Sequence, residues 1–418
     1  MPSFDMVLVS TAELVTCDGP TGDSAEKMLG VIPRGAVGIA GGRIAWVGPE
    51  AALPDGAIGP QTVRLDAQGG LVGPGFVDCH THLVFAGERS AEFEQRCQGK
   101  TYLEVAAAGG GIVRTVDATR AATEDELVTL ALPRLKRLLA HGVTSAEVKS
   151  GYGLDVETEL KMLRVVRTLS SAQPVTLHAT VLGLHAVPRG MTREAYVTSC
   201  LEDLLPRVAA EGLASTCDAF VEQSAFTPDD ARRLAVRAKS LGLRLRLHVD
   251  QLTSGAGAEL AAELGAATAD HLEQVSPAGV AALAKAGVVA VLAPTSTLFA
   301  RVKPYAPGRA LRDAGVPVAL CTNCNPGSSM SENVALALGL ACVENGLTPA
   351  EAYLGFTRFG AQALGDATAG RIAVGGPADL VVFDAPSVRA LPYHFGINSV
   401  RTVLKAGLPV STGTSARP

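Results

Sequence analysis

From Gly73 to about Gly365 the chain alternates short apolar, β-branched segments with longer Ala- and Leu-rich ones. The pattern predicts helix–strand pairs in order: Ala122–His141 with Val143–Lys149, Val156–Leu169 with Val175–Thr180, Arg193–Gly212 with Cys217–Val221, and Pro228–Leu241 with Leu243–Val249. Gly257–Leu264 with Thr268–His271, Pro277–Ala286 with Val288–Ala293, and Arg309–Ala314 with Val318–Thr322 complete the series, and a strand at Phe76–Cys79 precedes it. Parallel strands need a long return connection, so this alternation implies a parallel sheet with helical crossovers. Eight strands predict the α/β class and a closed (β/α)8 TIM-type barrel. An open doubly wound sheet also alternates, but no Gly-x-Gly-x-x-Gly follows the first strand here.

The two ends read differently. Met6–Ser10, Ala36–Ala40, Arg43–Val47 and Thr62–Asp66 predict short strands, with Gly41-Gly42 as a hairpin turn. Leu380–Phe383 and Val400–Lys405 are likewise β-rich. The expected organisation is a small β-sandwich built from residues 1–72 and 366–418, flanking a barrel of residues 73–365. Net charge of −5 offers no basic patch for nucleic acid. No apolar run reaches the roughly 20 residues that cross a bilayer, and Met1–Asp5 lacks the basic-then-apolar start of a secretion signal. The eight cysteines are scattered rather than framed as a disulfide scaffold, so they are expected reduced and the protein cytoplasmic. Cys321-Thr322-Asn323-Cys324 is a single C-x-x-C without a redox context. A small-molecule substrate is expected, with neither nucleic acid nor membrane as partner, and a homodimer as the commonest assembly.

Chemistry concentrates where the predicted strands end. Residues i and i+2 of a strand share a face, so His80 and His82 can place two imidazoles on one metal ion. His248 and His271 end two further strands, and Glu147, Lys149, His178, Glu222 and Thr322-Asn323 fall at others. In such barrels the active site lies at the C-terminal strand ends. Any one of these residues alone reads more simply as a hydrogen-bonded core or rim group; for His178 that reading is preferred. His141, closing a predicted helix, reads as a surface histidine favoured by the helix dipole.

This order of histidines, together with several longer blocks, resembles the amidohydrolase superfamily, and within it the imidazolonepropionase family. The blocks are His80-Thr-His-Leu-Val-Phe-Ala-Gly-Glu-Arg89, Tyr102 to Ile112, Glu147-Val-Lys-Ser-Gly-Tyr-Gly-Leu154, Gly183-Leu-His-Ala-Val-Pro188, Ala269-Asp-His-Leu272, Asn325-Pro-Gly-Ser328 and Leu391-Pro-Tyr-His-Phe-Gly396. The resemblance spans nearly the whole chain. It implies a hydrolase that opens the ring C–N bond of 4-imidazolone-5-propanoate to N-formimidoyl-L-glutamate in histidine degradation. It implies one divalent or trivalent metal ion per chain, zinc or iron first, on His80, His82 and His248, with residue 323 as a further ligand. It implies substrate contacts from Arg89, Tyr102, Tyr152, His185, Gln251, Asn325, Gly327 and Ser328, and a catalytic role for His271 with positions 251 and 323. A guanidinium holds a carboxylate through two parallel hydrogen bonds, which suits Arg89 to a propionate; its plainer alternative is an ion pair with Glu88 or Glu92.

Two positions depart from what the resemblance implies. The family pattern has Asp where this chain has Asn323, and Glu where it has Gln251. Both changes keep shape and remove a negative charge and a proton acceptor. General-base help from a carboxylate is worth about 10²–10⁴ in rate, so His271 becomes the main candidate base. Cys324 as thiolate offers a substitute ligand, although an adjacent strand residue points away from its neighbour. The metal-dependent hydrolase is the preferred reading. Beside it stand a diverged enzyme working on a related propionate-bearing heterocycle by ring closure or tautomerisation, and a catalytically silent ligand-binding protein.

Overall fold

The computed structural model describes residues 3–100, 104 and 110–412. Its centre is an eight-stranded parallel sheet in strict sequence order. The strands are β1 (Phe76–Asp78), β2 (Val143–Lys149), β3 (Thr176–Leu184), β4 (Thr216–Val221), β5 (Arg244–Val249), β6 (Thr268–His271), β7 (Val289–Leu292) and β8 (Val318–Leu320). Each pairs in parallel with the next, for example Asp218 opposite Arg246 and His248 opposite Asp270. Among the described residues β8 and β1 share no backbone ladder. Side chains close that seam: Asp78 accepts from the Thr322 backbone N–H at 3.1 Å and its hydroxyl at 2.6 Å. The barrel is therefore nearly closed, and Thr322 is pinned two residues ahead of Cys324.

The helices begin where the sequence caps them. Thr123 and Thr227 each form a capping box, with Glu126 and Asp230, and Pro228 occupies the first turn, where its missing N–H costs nothing. The predicted helix Arg193–Gly212 is interrupted: Arg193–Ser199 runs into a wider π turn at Cys200–Leu204 and resumes at Leu205–Ala210. Pro206 explains the break, because it has no N–H to continue the α ladder. Helices at Ser90–Cys97, Ile112–Ala121, Pro294–Ala300 and Val334–Val343 lie outside the predicted set. The last is apolar all round and gives no amphipathic signal.

β3 corrects one expectation. It runs on to Leu184 rather than stopping at Thr180. His178 consequently sits near the start of the strand, half-buried and 3.7 Å from Asp366, away from the end where chemistry gathers. His185 takes that end instead. His141 caps its helix as expected, donating its backbone N–H to Arg137 and Leu138, but it is half-buried and burial pushes its imidazole down, so the dipole does not dominate.

Both chain ends build the flanking β structure. One sheet orders Arg43–Pro49, Gly35–Ala40, Met6–Val9 and Val63–Asp66; a six-stranded sheet orders Leu408–Thr412, Val400–Lys405, Leu380–Phe383, Leu71–Pro74, Glu13–Val15 and Val31–Pro33. Leu8, Ile39, Val72, Leu380 and Leu404 join the two sheets in one apolar core. Gly41 and Gly42 both take positive φ (57° and 73°), the hairpin geometry that the Gly-Gly pair predicted. Strand Leu71–Pro74 passes through Gly75 directly into β1. A Cβ on Gly75 would lie 2.1 Å from the Thr144 hydroxyl. Gly75→Ala should therefore lower the denaturant-unfolding stability by about 1–3 kcal/mol through overpacking, while Gly41→Asn, with open space and a turn that suits it, should stay within about 0.5 kcal/mol.

Candidate metal centre and catalytic pocket

His80 and His82 follow β1 in an extended segment held from three sides. The Thr81 hydroxyl donates to the Glu147 carbonyl, Lys149 N–H donates to the Thr81 carbonyl, and His82 N–H donates to the Cys324 carbonyl. The alternation expected of positions 80 and 82 is preserved: their Nε2 atoms stand 3.2 Å apart. His248, near the end of β5, completes the group, with one ring nitrogen from each residue all within 4.8 Å of one another. His80 Nδ1 donates to the Asp270 carboxylate at 2.6 Å, which leaves its Nε2 as a lone pair. Facing ring nitrogens at 3.2 Å must share either a proton or a cation. His248 Nε2 and His82 Nδ1 are buried without a hydrogen-bond partner. Burial, reinforced by the charges of Lys149 and the neighbouring imidazoles, pushes all three histidines well below their ordinary range, which leaves them neutral nitrogen donors. This donor set fits one metal cation.

Beneath the histidines runs a belt of buried charges. From Asp270 Oδ2 the contacts pass to Arg246 Nη2 at 2.8 Å and from Arg246 Nη1 to Glu147 Oε1 at 2.9 Å. They continue from Glu147 Oε2 to Lys149 Nζ at 2.8 Å, to Asp218 Oδ2 at 2.7 Å, and finally to His248 Nδ1 at 3.1 Å, the last off the ideal hydrogen-bond line. Every member is at least 96% buried. Burial works to raise the Asp270 carboxyl, but Arg246 and Lys149 outweigh it and hold it below its usual range. Burial and Arg246 push the Lys149 ammonium down, yet Asp218, Glu147 and Asp270 prevail and keep it charged. Burial raises Glu147 and Asp218, against their cationic neighbours. Asp218, Arg246 and Asp270 are functional-site residues that the sequence reading did not single out. The available signal was a charge in the middle of an apolar strand: Arg246 precedes His248 by two and so shares its inward face.

A cavity of about 100 Å³ opens over this centre, lined by His82, Tyr152, His185, Phe220, His248, Gln251, His271, Asn323, Asn325 and Ser328. His271 ends β6 with its ring 5.3 Å from His248 and 5.5 Å from His80, outside the ligand group. Its Nδ1 lies 3.7 Å from Glu273. His185 donates Nδ1–H to the Gly151 carbonyl at 2.7 Å and stacks on His82. Tyr152 rides a loop whose backbone N–H groups at Gly151, Gly153 and Leu154 converge on the buried Glu159 carboxylate. Gln251 sits on a loop that Glu222 holds through the N–H groups of Gln251, Leu252 and Thr253. Glu222 is thus a scaffold for that loop rather than a cavity-lining acid.

Asn323 has a left-handed backbone (φ 49°), which Asn and Asp tolerate better than most residues. It lines the cavity, and its Oδ1 accepts from Asn325 Nδ2 at 3.1 Å. Asn325 in turn accepts N–H bonds from Gly327 and Ser328 at 2.8 Å, closing the turn. Arg89 lies on the far side of this turn, in an adjoining cavity of about 200 Å³ shared with Gly327. Its Nε and Nη2 both contact Glu92 Oε2 at 2.9 Å, so the ion-pair alternative is realised. Its Nη1 edge points to Gly327, where a Cβ would come within 2.9 Å. Tyr102 lies outside the described residues. Cys324 is not brought to the centre: its thiol is fully buried among core residues, burial raises it well above the ordinary range, and among the described residues the donor group contains only the three histidines.

A nearly closed parallel barrel carrying three converging histidines that could hold a metal ion at its strand ends has the architecture of an amidohydrolase-type hydrolase. The Amidohydrolase family profile matches residues 71–410, and the chain belongs to that family. It is 63% identical, over 97% of both chains, to the imidazolonepropionase of Myxococcus xanthus (strain DK1622), and 51% identical, over 99% of this chain and 98% of the other, to that of Anaeromyxobacter dehalogenans (strain 2CP-1 / ATCC BAA-258). At these identities its place within the family is with the imidazolonepropionases. The fold is also that of 5-methylcytosine deaminase from Klebsiella pneumoniae (TM-score 0.75, 19% identity, 99% of both chains) and of a zinc-bound adenosine deaminase from Xanthomonas campestris (TM-score 0.64, 21% identity, 98% and 93%).

The ligand and non-ligand histidines should separate experimentally. His248→Ala should lose most bound metal, whereas His271→Asn should keep wild-type metal per chain while turnover drops about 10²-fold or more. Elemental analysis paired with kcat decides it; parallel loss of metal in both would place His271 among the ligands.

Proposed function

We propose that this chain is an imidazolonepropionase, hydrolysing the ring C–N bond of 4-imidazolone-5-propanoate to give N-formimidoyl-L-glutamate. The observation that carries the reading is the convergence of His80, His82 and His248 with a fourth imidazole, His271, just outside the group, in a chain this similar to proteins of that name. His80, His82 and His248 would hold the metal, zinc or iron by their imidazole chemistry, with the Asn323 amide oxygen as a weak fourth donor. When bound, the cation would supply Lewis acidity, polarising the lactam carbonyl and lowering the pKa of water towards about 7.

The chain's own residues do the rest. Arg89, with one guanidinium edge fixed by Glu92, presents Nη1 to the substrate carboxylate beside the Gly327 turn. Tyr152 and His185 flank the heterocycle, and the unprotonated Nε2 of His185 accepts a hydrogen bond from it. Gln251 orients the ring through its amide but takes up no proton. With Nδ1 turned toward Glu273, His271 Nε2 accepts the proton of the attacking water and returns it to the departing ring nitrogen. Ser328 and the Asn325 turn close the carboxylate side. The reaction belongs to histidine degradation in the cytoplasm, with a small molecule as partner and a homodimer as the default assembly.

Two outcomes test this. Purified protein with about one metal per chain should consume imidazolonepropionate, followed by its ultraviolet absorbance, and Asn323→Asp combined with Gln251→Glu should raise kcat at least tenfold. Metal-loaded double variant without gain would mean that the substrate is a different heterocycle. Arg89→Lys should raise KM about tenfold or more with a smaller change in kcat, since the point charge survives but a single ammonium cannot both hold Glu92 and offer a fixed N–H at the Nη1 position.

A further inference from the structure

The proposed chemistry leaves two fully buried cations, Lys149 and Arg246, without a role. Each is surrounded by carboxylates rather than facing the cavity, and together they link His80 to His248 through an unbroken run of contacts at 2.6 to 3.1 Å. Three carboxylates against two cations leave the belt with a formal charge of 3 − 2 = 1 negative unit. Asp270 Oδ2 and Asp218 Oδ2 are the oxygens that touch the histidines, at the Nδ1 atoms opposite the ligand edge.

We propose that the belt is the positioning frame of the metal centre, with Asp270 and Asp218 fixing the His80 and His248 rings and supplying the negative charge that the neutral Asn323 does not. The inference rests on the metal reading of the three histidines. An ionised carboxylate accepts only, so the hydrogen bond to Asp270 selects the Nδ1–H tautomer of His80. Asp218, 3.1 Å from His248 Nδ1 but off the hydrogen-bond line, favours the same tautomer there, turning each Nε2 lone pair toward the ion. Arg246 and Lys149 act one step further back. They make it affordable to keep those carboxylates ionised where no water reaches, and their geometry sets where the carboxylates stand. Glu147 bridges the two cations and makes the two halves one unit, with Thr180 donating a further hydrogen bond to it. Asp270, Asp218, Arg246, Glu147 and Lys149 are therefore positioning residues, acting on the metal through the imidazoles.

The test uses zinc alone on the full chain. Asp218→Asn and Asp270→Asn, each nearly isosteric, should weaken zinc binding 10- to 100-fold in competition with a chromophoric chelator. Adding Asn323→Asp to either should recover affinity. A readout needing no substitution comes from ¹⁵N-histidine NMR of the metal-free wild type: His80 and His248 should be Nδ1–H tautomers with unprotonated Nε2, and Asp218→Asn should mix the tautomers of His248 while leaving His80 unchanged. Wild-type protein that takes up zinc, with both variants binding it equally well, overturns the frame and leaves the metal reading intact. An Nε2–H tautomer at either ring in the wild type also overturns it, even where a variant fails to fold. Wild type that binds no zinc sinks both readings together.

Discussion

An isolated charge inside a protein interior is too costly to keep, yet five charged side chains share one buried belt in this barrel. They persist because signs alternate along one chain of contacts, so each carboxylate has a cation within 2.9 Å. That constraint reaches into the fold. Glu147 and Lys149 on β2, Asp218 on β4, Arg246 on β5 and Asp270 on β6 meet only if the strands are in their observed register. A one-residue slip would turn each charge outward into the apolar layer between strands and helices. The same contacts orient His80 and His248. Barrel register and metal-site geometry are one arrangement seen from two sides.

Much of this was legible in the sequence because strands obey a period of two. The pair His80 and His82, the strand-end His248 and His271, and the eight-strand count follow from spacing and alternation alone. The Glu147–Lys149 pair was visible as well. Its partners were not, since Asp218 and Asp270 come from strands more than 65 residues away and nothing local says which charges will face each other across a barrel. His178 and His185 show the other kind of miss. Val181-Leu182-Gly183-Leu184 continues β3 although its glycine suggests a loop, and those four residues decide which histidine reaches the site. Tertiary pairing, not local propensity, settles such ends.

The two amides occupy positions whose geometry is indifferent to charge. Asn323 needs a left-handed backbone and an oxygen for Asn325; Asn and Asp both provide these. Gln251 stands on a loop shaped by Glu222 and by Asp250, whose carboxylate gathers the N–H groups of Gly255, Gly257 and Ala258. The scaffold thus stays intact whichever form is present, and the difference falls on proton acceptance and on the charge at the cavity that His82 and His248 line.

The strand Leu71–Pro74 lies inside the six-stranded sheet, between Leu380–Phe383 and Glu13–Val15, one glycine upstream of β1. Lys405, from the C-terminal strands, reaches the Thr144 carbonyl and Thr176 at the foot of the barrel. Removing the last fifty residues would not yield a smaller enzyme. It would bare the backbone of a fully apolar edge strand, a template for pairing between chains, attached almost directly to the two histidines. Strand Leu380–Phe383 thus covers a backbone edge that would otherwise stand open beside the segment bearing His80 and His82.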